Sequence, residues 1–558
     1  MKQFRWQIII IFITGLIVGL LLLSEQTGFR LVSPVPARGG SYAEALIGNF
    51  QRLNPVLDYY NPADRDVNRL IYSSLIKYDE KGLPKADLAA EWGISFDGLT
   101  YNFALKENAF WHDGAPVIAE DIVFTIDLMR DPSSVYPEDL KDFWQQVDVI
   151  ALEEKQLQFR LQEPFTPFID FLNFGILPKH ILSGMTYDEM VTSEFNLNPI
   201  GSGPYQFDGA ITEAGEIKGV VLRVNENFYE GPAFLEEIVF RYYPTQEAGY
   251  NAYLNGGVQG VSNVSGVVLT DALNNDDLSV YSIIEPEISM ILFNLNNNNV
   301  RFFQEKELRK SLLYAIDRKG ILKNVYKGQG VIADVPILRN SWANFEGNQR
   351  IDQDNQRAVA LLREIGFVSD QEGGEAARVR DGVRLSFSMV HPEDSYHSAL
   401  ATAIQSDWKK IGVEVTLIPV TYQELLLDHL QPLTYEAALV DINYYRSPDP
   451  DPYPFWDQSQ QTGGQNYSQW ENRVASQYLE EARVIRDVEE RAKLYRNFQV
   501  IFSDEMPALP LFFPVYSFAV DSSIQGIRLG AMYDTGDRFW NVTEWFIIAQ
   551  TGSEAGSE

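Results

Sequence analysis

The sequence predicts an α/β fold that is divided among at least two lobes. A single hydrophobic core stops growing near about 250–300 residues, and this chain has 558. Leu385–Val390 and Val413–Ile418 are β-branched or alternating runs bounded by turns, and Leu400–Ile411 between them has helical periodicity. Strand, helix and strand in that order indicate a βαβ unit, and helical and strand segments are intermixed along the whole chain.

Other segments have clear local signals. Tyr101–Leu105 is predicted to be a strand, and a helix is predicted to start near Ala119, because Glu120 and Asp121 suit the positive end of a helix dipole. The segment Glu305–Lys319 predicts an amphipathic helix that is interrupted or ended by Gly320. The apolar side of that helix consists of Leu308, Leu312, Ala315 and Ile316.

The amino end is predicted to be a membrane anchor. Lys2 and Arg5 precede the uncharged run Trp6–Leu23, which as a helix would be about 27 Å long, close to the thickness of a bilayer core. A cleavable signal peptide is the alternative, but no Ala-x-Ala cleavage pattern follows Leu23. The two positive charges would keep the amino end inside, so the chain from about Ser24 onward is predicted to lie outside the cytoplasm.

Composition excludes several classes of function. Asp and Glu number 77 against 45 Lys and Arg, a formal charge of −32 that repels nucleic acid. The absence of cysteine excludes disulfides, thiolate catalysis, cysteine zinc sites and a lipid-modified cysteine. There are only five histidines, and the spacing of His391 and His397 is not that of a usual zinc site. We therefore predict a binding protein without cofactor or metal, and not an enzyme.

Four consecutive motifs are the most specific feature of the sequence: Ala89–Trp92, Ser95–Tyr101, Trp111–Pro116 and Ala119–Phe124. In order and spacing they resemble the family 5 extracellular solute-binding proteins of ABC importers, which include oligopeptide-, dipeptide- and nickel-binding proteins. Further passages resemble the same family in the same order, namely Gly39-Gly40, Leu53–Pro55, Asn198–Tyr205, Asn225–Tyr243, Leu308–Arg318, Ser341–Ala343, Ala358–Phe367 and Ile404–Val415.

The resemblance implies a two-lobed, periplasmic-binding-protein-like fold of type II with an additional inserted α/β lobe, here preceded by one transmembrane helix. Mapped onto this chain, residues 1–38 are the anchor and tether, and 546–558 are an acidic tail. Lobe I comprises 39–70, 200–288 and 506–545; inserted lobe II comprises 71–199; lobe III comprises 289–505.

The resemblance also implies a function. The chain would be the external, substrate-binding component of an ABC importer, located on the extracytoplasmic face of the membrane (periplasmic or cell surface). It would enclose a peptide or other small molecule between lobes by hinge closure, as a monomer, and deliver it to a permease served by an ATPase. The alternative from another class is a membrane-anchored cell-surface sensor or adhesion module without transport.

The segment Asp441–Trp456 is the predicted ligand wall. It follows the apolar run Ala437–Val440, and its prolines, aromatic rings and carboxylates provide rigidity, contact area and orientation. A solvated surface loop is the alternative, and a structural turn is the alternative for the downstream pair Asn466 and Tyr467. The predicted ligand-binding residues are Asp441, Asn443, Tyr444, Tyr445, Arg446, Asp449, Trp456, Asn466 and Tyr467.

Arg446 is the departure from the family pattern. In the peptide binders that this chain resembles, an aspartate about three residues before the Asp-Pro pair binds the α-ammonium of the peptide, and Arg446 stands three residues before Asp449. A guanidinium repels an ammonium and favours a carboxylate, phosphate or sugar hydroxyl. Asp441 or Asp449 would restore an amine site if the loop is threaded differently, so the sequence leaves the solute open.

Overall fold

The computed structural model describes residues 36–348, 350–369, 377–445 and 448–548. The predicted anchor Trp6–Leu23 lies outside the described residues. Within them, no helix is both long and apolar enough to cross a membrane. Phe546–Ile547, at the start of the predicted acidic tail, forms a short strand with Ile524–Gln525.

One large mixed sheet runs through the molecule. Its strands, in hydrogen-bonded order, are Glu414–Val420, Ser386–Pro392, Ala437–Asn443, Glu287–Phe293, Ala508–Asp521, Gly260–Val261, Ser41–Ile47, Glu237–Tyr243, Glu216–Val224 and Tyr205–Glu213. Two further strands pair with Ala508–Asp521 beside this path, Leu278–Ile284 and Gly330–Ile332.

Smaller sheets and helices cover and extend the large sheet. A separate four-stranded antiparallel sheet consists of Ala89–Ile94, Thr100–Leu105, Gln156–Arg160 and Asp148–Glu153. Two-stranded pairs are formed by Ile76–Tyr78 with Pro84–Ala86 and by Val379–Arg380 with Val383–Arg384. The α-helices are Pro62–Ile71, Ala119–Met129, Glu138–Gln145, Lys179–Leu182, Tyr187–Val191, Gln246–Leu254, Gly266–Leu273, Lys306–Ala315, Arg318–Asn324, Asn355–Glu364, Ser395–Lys410, Tyr422–Glu424, Tyr453–Trp456, Arg473–Ala482 and Val488–Glu505.

Two large hydrophobic cores divide the chain into two bodies. The first body has its core between Tyr42 and Ile283 and again between Tyr516 and Trp545. The second body has its core between Ile288 and Phe513, with Ala531 and Tyr533 added.

The chain connects the two bodies along neighbouring strands. Ala508–Asp521 pairs with Glu287–Phe293 through its first part, and with Leu278–Ile284 through its last part. The short link Glu285–Pro286 joins those two partner strands, so the two connections lie side by side. The two bodies are therefore joined through the strand Ala508–Asp521 and through this two-residue link.

The predicted βαβ unit is confirmed. Ser386–Pro392 and Glu414–Val420 are parallel neighbours in the sheet, and the helix Ser395–Lys410 connects them. The Asp394 carboxylate caps that helix by accepting hydrogen bonds from the backbone N–H groups of Tyr396 and His397.

The predicted helix Glu305–Lys319 was wrong in where it ends. The helix stops at Ala315, because Ile316 adopts an extended conformation, and a new helix starts at Arg318. Asp317 is the N-cap of the new helix and accepts a hydrogen bond from the N–H of Gly320 at 2.8 Å. Gly320 therefore lies inside a helix and does not terminate one.

Candidate functional site

A cavity of about 320 Å³ lies where the two bodies meet, and we call it the interbody cavity. The first body lines it with the helix Pro62–Ile71 and with residues between Met129 and Gly175. The segment Tyr533–Asp537, whose Tyr533 packs in the core of the second body, completes this side of the wall. The second body contributes Tyr445 and Pro448. A concave space between two bodies is a usual place for a small-molecule site.

Two arginines on one helix face contribute to the cavity wall. Pro62 occupies the first turn of the helix, and Arg65 and Arg69 are four residues apart, so they share one face. Arg65 forms an ion pair with Asp534 at 2.5 Å, and Arg69 forms one with Asp537 at 3.0 Å. The segment Tyr533–Asp537, which we call the carboxyl-terminal segment, therefore neutralises both guanidinium charges.

A buried charge network holds that segment in place. Arg538 has no exposed side-chain area, and it forms ion pairs with Glu44 at 2.6 Å and with Asp66 at 2.7 Å. Burial opposes the charge of Arg538, but the two carboxylates outweigh it and raise the pKa of the guanidinium well above its ordinary value. Because Asp66 lies on the helix Pro62–Ile71, the network fixes the carboxyl-terminal segment against the face of Arg65 and Arg69.

Carboxylates exceed cations on the described lining of the interbody cavity. Its two cations are Arg65 and Arg69, and its five acids are Asp58, Asp139, Asp170, Asp534 and Asp537. Burial, and then the negative charge of Asp449, raise the pKa of Asp170 well above its ordinary value, which favours its neutral form. Burial likewise raises the pKa of Asp537. Even without Asp170, the acids on this described wall outnumber its two cations.

Aromatic side chains make up eight of the other seventeen residues on the described lining. Tyr59 and Tyr136 pack against each other with ring centroids 5.3 Å apart. Phe171 lies on the same wall and stacks on Phe143 at 4.2 Å. Trp144, also on the wall, is almost fully buried. Aromatic faces attract cations, so the rings and the carboxylates favour the same kind of guest.

Comparisons with known proteins agree with this architecture. Residues 84–465 match the family model described as bacterial extracellular solute-binding proteins, family 5 middle. The chain belongs to family 5 of the bacterial extracellular solute-binding proteins. It is 26% identical over 535 residues to the oligopeptide-binding protein AppA of Bacillus subtilis, an alignment that covers 94% of each chain.

Solved structures of family 5 proteins have the same fold. NikZ from Campylobacter jejuni, crystallised in complex with Ni(L-His), is 26% identical with a TM-score of 0.65, covering 91% of this chain and 99% of that one. HbpA2 from Haemophilus parasuis has a TM-score of 0.76 at 20% identity, covering 88% and 98% of the two chains. These relatives are binding proteins, so this family 5 chain is a solute-binding protein of the ABC-importer type and not an enzyme.

The predicted site residues of this family 5 protein fall into three groups. Tyr445 lines the interbody cavity, and its hydroxyl donates to Glu285 at 3.4 Å. Arg446 lies outside the described residues. Four others line a separate cavity of about 260 Å³ on the second body, which we call the side pocket; they are Asp441, Asn443, Trp456 and Tyr467.

The third group has structural contacts. The Tyr444 hydroxyl donates to the carbonyl of Pro336 at 3.1 Å, and the Asn466 amide donates to the carbonyls of Asp457 and Trp470 at 3.0 and 2.9 Å. Asp449 is buried and forms an ion pair of 2.5 Å with Arg491. The ligand-binding roles of all nine residues stay predictions.

Asp441 is part of a second charge cluster, centred on His397. The ring of His397 contacts Asp394 through Nδ1 at 2.6 Å and Asp441 through Nε2 at 2.7 Å. Burial opposes the imidazolium, but the hydrogen bond and charge of Asp441, and then those of Asp394, raise its pKa above the ordinary value. Within the described residues, no group of three His, Asp or Glu side chains is arranged to hold a metal ion.

Sequence reasoning missed the first-body half of the interbody cavity. The residues concerned are Asp58, Tyr59, Arg65, Arg69, Tyr136, Asp139, Trp144, Asp170, Asp534 and Asp537. One signal was available, because Arg65 and Arg69 have the four-residue spacing of a helix face. Nothing in the local pattern indicates that Asp534 and Asp537 lie opposite them.

Proposed function

We propose that this chain is the extracytoplasmic substrate-binding component of an ABC importer and that its solute carries a positive charge. The negative and aromatic wall of the interbody cavity supports this proposal most directly. The solute would be enclosed there by hinge closure and delivered to a membrane permease. The run Trp6–Leu23 would anchor the protein to the membrane, with lobe boundaries as predicted from the sequence.

Peptide-like amines are the solutes that this cavity fits best. AppA of Bacillus subtilis has been crystallised with a nonapeptide, and NikZ with a nickel–histidine complex. In this chain the arginines of the cavity are already paired, whereas Asp139 lies exposed at its edge. A free α-ammonium or a basic side chain would therefore find a carboxylate without breaking an ion pair.

Calorimetric titration of the full-length chain in detergent tests the proposal. Tripeptides with a free amino end should bind with micromolar or tighter affinity, about −8 kcal/mol, and N-acetylation should weaken them about tenfold or more. Neutral sugars are the comparison ligands. Binding of sugars, with no binding of any free-amine peptide, would contradict the proposed charge preference.

A matched pair of variants locates the effect in the cavity. Asp139 and Asp142 lie on the same helix, Glu138–Gln145, and both are exposed, but only Asp139 lines the interbody cavity. Asp139→Asn should weaken the free-amine tripeptides several-fold and leave their acetylated forms unchanged, because only the former carry the charge. Asp142→Asn should bind both like the wild type, and equal losses in the two variants would place the solute elsewhere.

A further inference from the structure

The two bodies also contact each other through a surface loop of the second body. This loop, residues 483–487, connects the helices Arg473–Ala482 and Val488–Glu505, and we call it the rim loop. Both helices contribute side chains to the core of the second body. Two arginines of the loop, Arg483 and Arg486, reach segments that pack on the core of the first body.

Arg483 lies between an aromatic ring of each body. The carbon of its guanidinium is 4.1 Å from the ring centroid of Tyr453 in the second body and 4.9 Å from that of Phe165 in the first. Asp451 of the second body forms an ion pair with Arg483 at 3.0 Å. Because the face of an aromatic ring attracts a cation, this one guanidinium attracts rings from both bodies.

A backbone hydrogen bond between the bodies lies beside this ring contact. The N–H of Thr166, the residue after Phe165, donates to the carbonyl of Arg483 at 2.7 Å. Thr166 is the first residue of the short 3₁₀-helix Thr166–Leu172, and the N–H groups at the start of a helix have no acceptor within it. The rim loop therefore supplies an acceptor that this helix of the first body needs.

Arg486 makes the second contact of the rim loop. Its Nη1 donates to the carbonyls of Ile94 and Ser95 at 3.3 and 3.0 Å, at the turn between the strands Ala89–Ile94 and Thr100–Leu105. In the same turn, the hydrogen bond from the Ser95 hydroxyl, and to a smaller extent the charge of Arg486, lower the pKa of Asp97. The turn therefore offers both carbonyl oxygens and a carboxylate charge to this arginine.

The rim loop adjoins the interbody cavity without lining it. Phe165 packs against Phe171 with ring centroids 6.0 Å apart, and Phe171 is part of the cavity wall. Neither Arg483 nor Arg486 belongs to the described lining of the cavity. The two arginines can therefore affect how firmly the bodies close around a solute, although they do not contact the solute.

We propose that Arg483 and Arg486 form a latch, which holds the two bodies together around the interbody cavity and thereby sets the affinity for the solute. The effect on the solute rests on the proposed function, whereas the contact between the bodies does not. When the bodies separate, the contacts of both arginines with the first body are lost. Arg483 keeps Asp451 and Tyr453 in its own body, so it stays oriented for the next closure.

Distances between spin labels on the two bodies test the latch without any solute. The chain has no cysteine, so Leu152→Cys in the first body and Val500→Cys in the second provide two labelling sites on half-exposed side chains. Double electron–electron resonance on the full-length chain in detergent then measures the ratio of short to long distances, which is the ratio of closed to open molecules. The latch predicts a short-distance population, and a distribution without one would overturn the proposal.

Removing either arginine should open the molecule. Arg483→Ala and Arg486→Ala should each lower the ratio of closed to open molecules about fivefold, through the loss of a cation–π contact or of charged hydrogen bonds. Arg473→Ala is the matched control, because Arg473 lies on the same body and pairs with Glu480 of its own helix. The control should keep the original ratio. An unchanged ratio in the two latch variants, or an equal fall in the control, would overturn the latch.

A double-mutant cycle assigns the effect of Arg483 to the ring of the first body. Phe165→Leu keeps an apolar side chain but removes the aromatic face. If Arg483 acts through that face, Arg483→Ala should lower the ratio of closed to open molecules less in the Phe165→Leu background than in the original chain. Equal losses in the two backgrounds would overturn this assignment.

The second test connects the latch to the solute. Free-amine tripeptides and their N-acetylated forms are titrated calorimetrically into the full-length chain. Because binding is linked to closure, Arg483→Ala and Arg486→Ala should weaken both forms by the same factor, about fivefold. Asp139→Asn should instead weaken only the free-amine forms and leave the distances between the labels unchanged. A loss confined to the free-amine forms in the latch variants would overturn their role in closure.

The outcomes separate the latch from the proposed function. If the tripeptides bind but the label distances do not respond to either arginine, the proposed function stands and the latch is wrong. If the label distances respond but no tripeptide binds, the latch stands as a contact between the bodies and the proposed peptide-like solute is wrong.

Discussion

Each body of the protein contains a cluster of acids, and the two clusters are held by different cations. In the first body, Arg538 binds Glu44 and Asp66, and none of the three side chains is more than 6% exposed. In the second body, His397 binds Asp441 and Asp394. Two further acids lie close to this second cluster and affect its charge, Glu285 and Glu287.

The choice of cation decides how each cluster responds to pH. A guanidinium stays charged across the range in which proteins are folded, so the first-body cluster keeps its charge. An imidazole titrates near neutral pH, and burial raises the pKa of the neighbouring Glu287 to about 8. The wall of the interbody cavity is therefore supported by ion pairs that stay charged. The strands beside the link Glu285–Pro286 instead carry groups that titrate, His397 and Glu287.

Replacing the permanent cation should have the largest effect. Arg538→Ala leaves Glu44 and Asp66 buried without a partner, and such a loss destabilises by about 3–5 kcal/mol. Urea unfolding followed by tryptophan fluorescence measures it. The control is Arg528→Ala, because Arg528 is half-exposed and pairs with Glu80 and Glu544 on the surface. The control should cost about 1 kcal/mol or less, and a similar loss in both variants would contradict the contrast.

The second-body cluster around His397 should make the stability of the protein depend on pH. Burial, followed by the charges of Asp441 and Glu285, raises the pKa of Glu287 from 4.5 to about 8, while His397 acts in the opposite direction. The folded protein thus binds this proton more tightly than the unfolded chain. Stability from this group is greatest at low pH and declines as the pH rises from about 4.5 to about 8.

Glu287→Gln should remove that decline. The variant should melt at roughly 3 °C above the wild type at pH 8 and at the same temperature at pH 4, as measured by calorimetry. Glu393→Gln is the control, since Glu393 is exposed on the same body and should change neither value. A difference between Glu287→Gln and the wild type that does not vary with pH would contradict the titration of Glu287.

The smallest effect is expected at the exposed edge of the second-body cluster. The side chain of Asp394 is 41% exposed, and it both pairs with His397 and caps the helix Ser395–Lys410. Asn also caps helices well, so Asp394→Asn removes only the ion pair and should cost about 0.5 kcal/mol. Urea unfolding at pH 6 checks the value. A loss of stability as large as that of Arg538→Ala would contradict this. It would mean that the exposed ion pair of Asp394 contributes as much as the buried ion pairs of Arg538.

The sequence predicted the second body better than the first-body wall of the cavity. The βαβ unit followed from alternating and helical periodicity within a few tens of residues, and the structure confirmed it. The helix end at Ala315 was missed because Asp317 caps a new helix, a local signal that outweighs the breaking tendency of Gly320. Tyr444 and Tyr445 were both predicted to bind the ligand. Tyr445 lines the interbody cavity, whereas Tyr444 is buried and its hydroxyl donates to the carbonyl of Pro336.

By itself, the sequence determined the family and the α/β fold class of this protein. These properties depend on local periodicity and on motifs that follow one another in order, so they can be read along the chain. Only the tertiary structure decided the composition of the cavity wall, where Arg65 meets Asp534 and Arg69 meets Asp537 across more than four hundred residues. The physical reason is that these partners come together through the folding of two distant segments onto one body, and no local pattern specifies that contact.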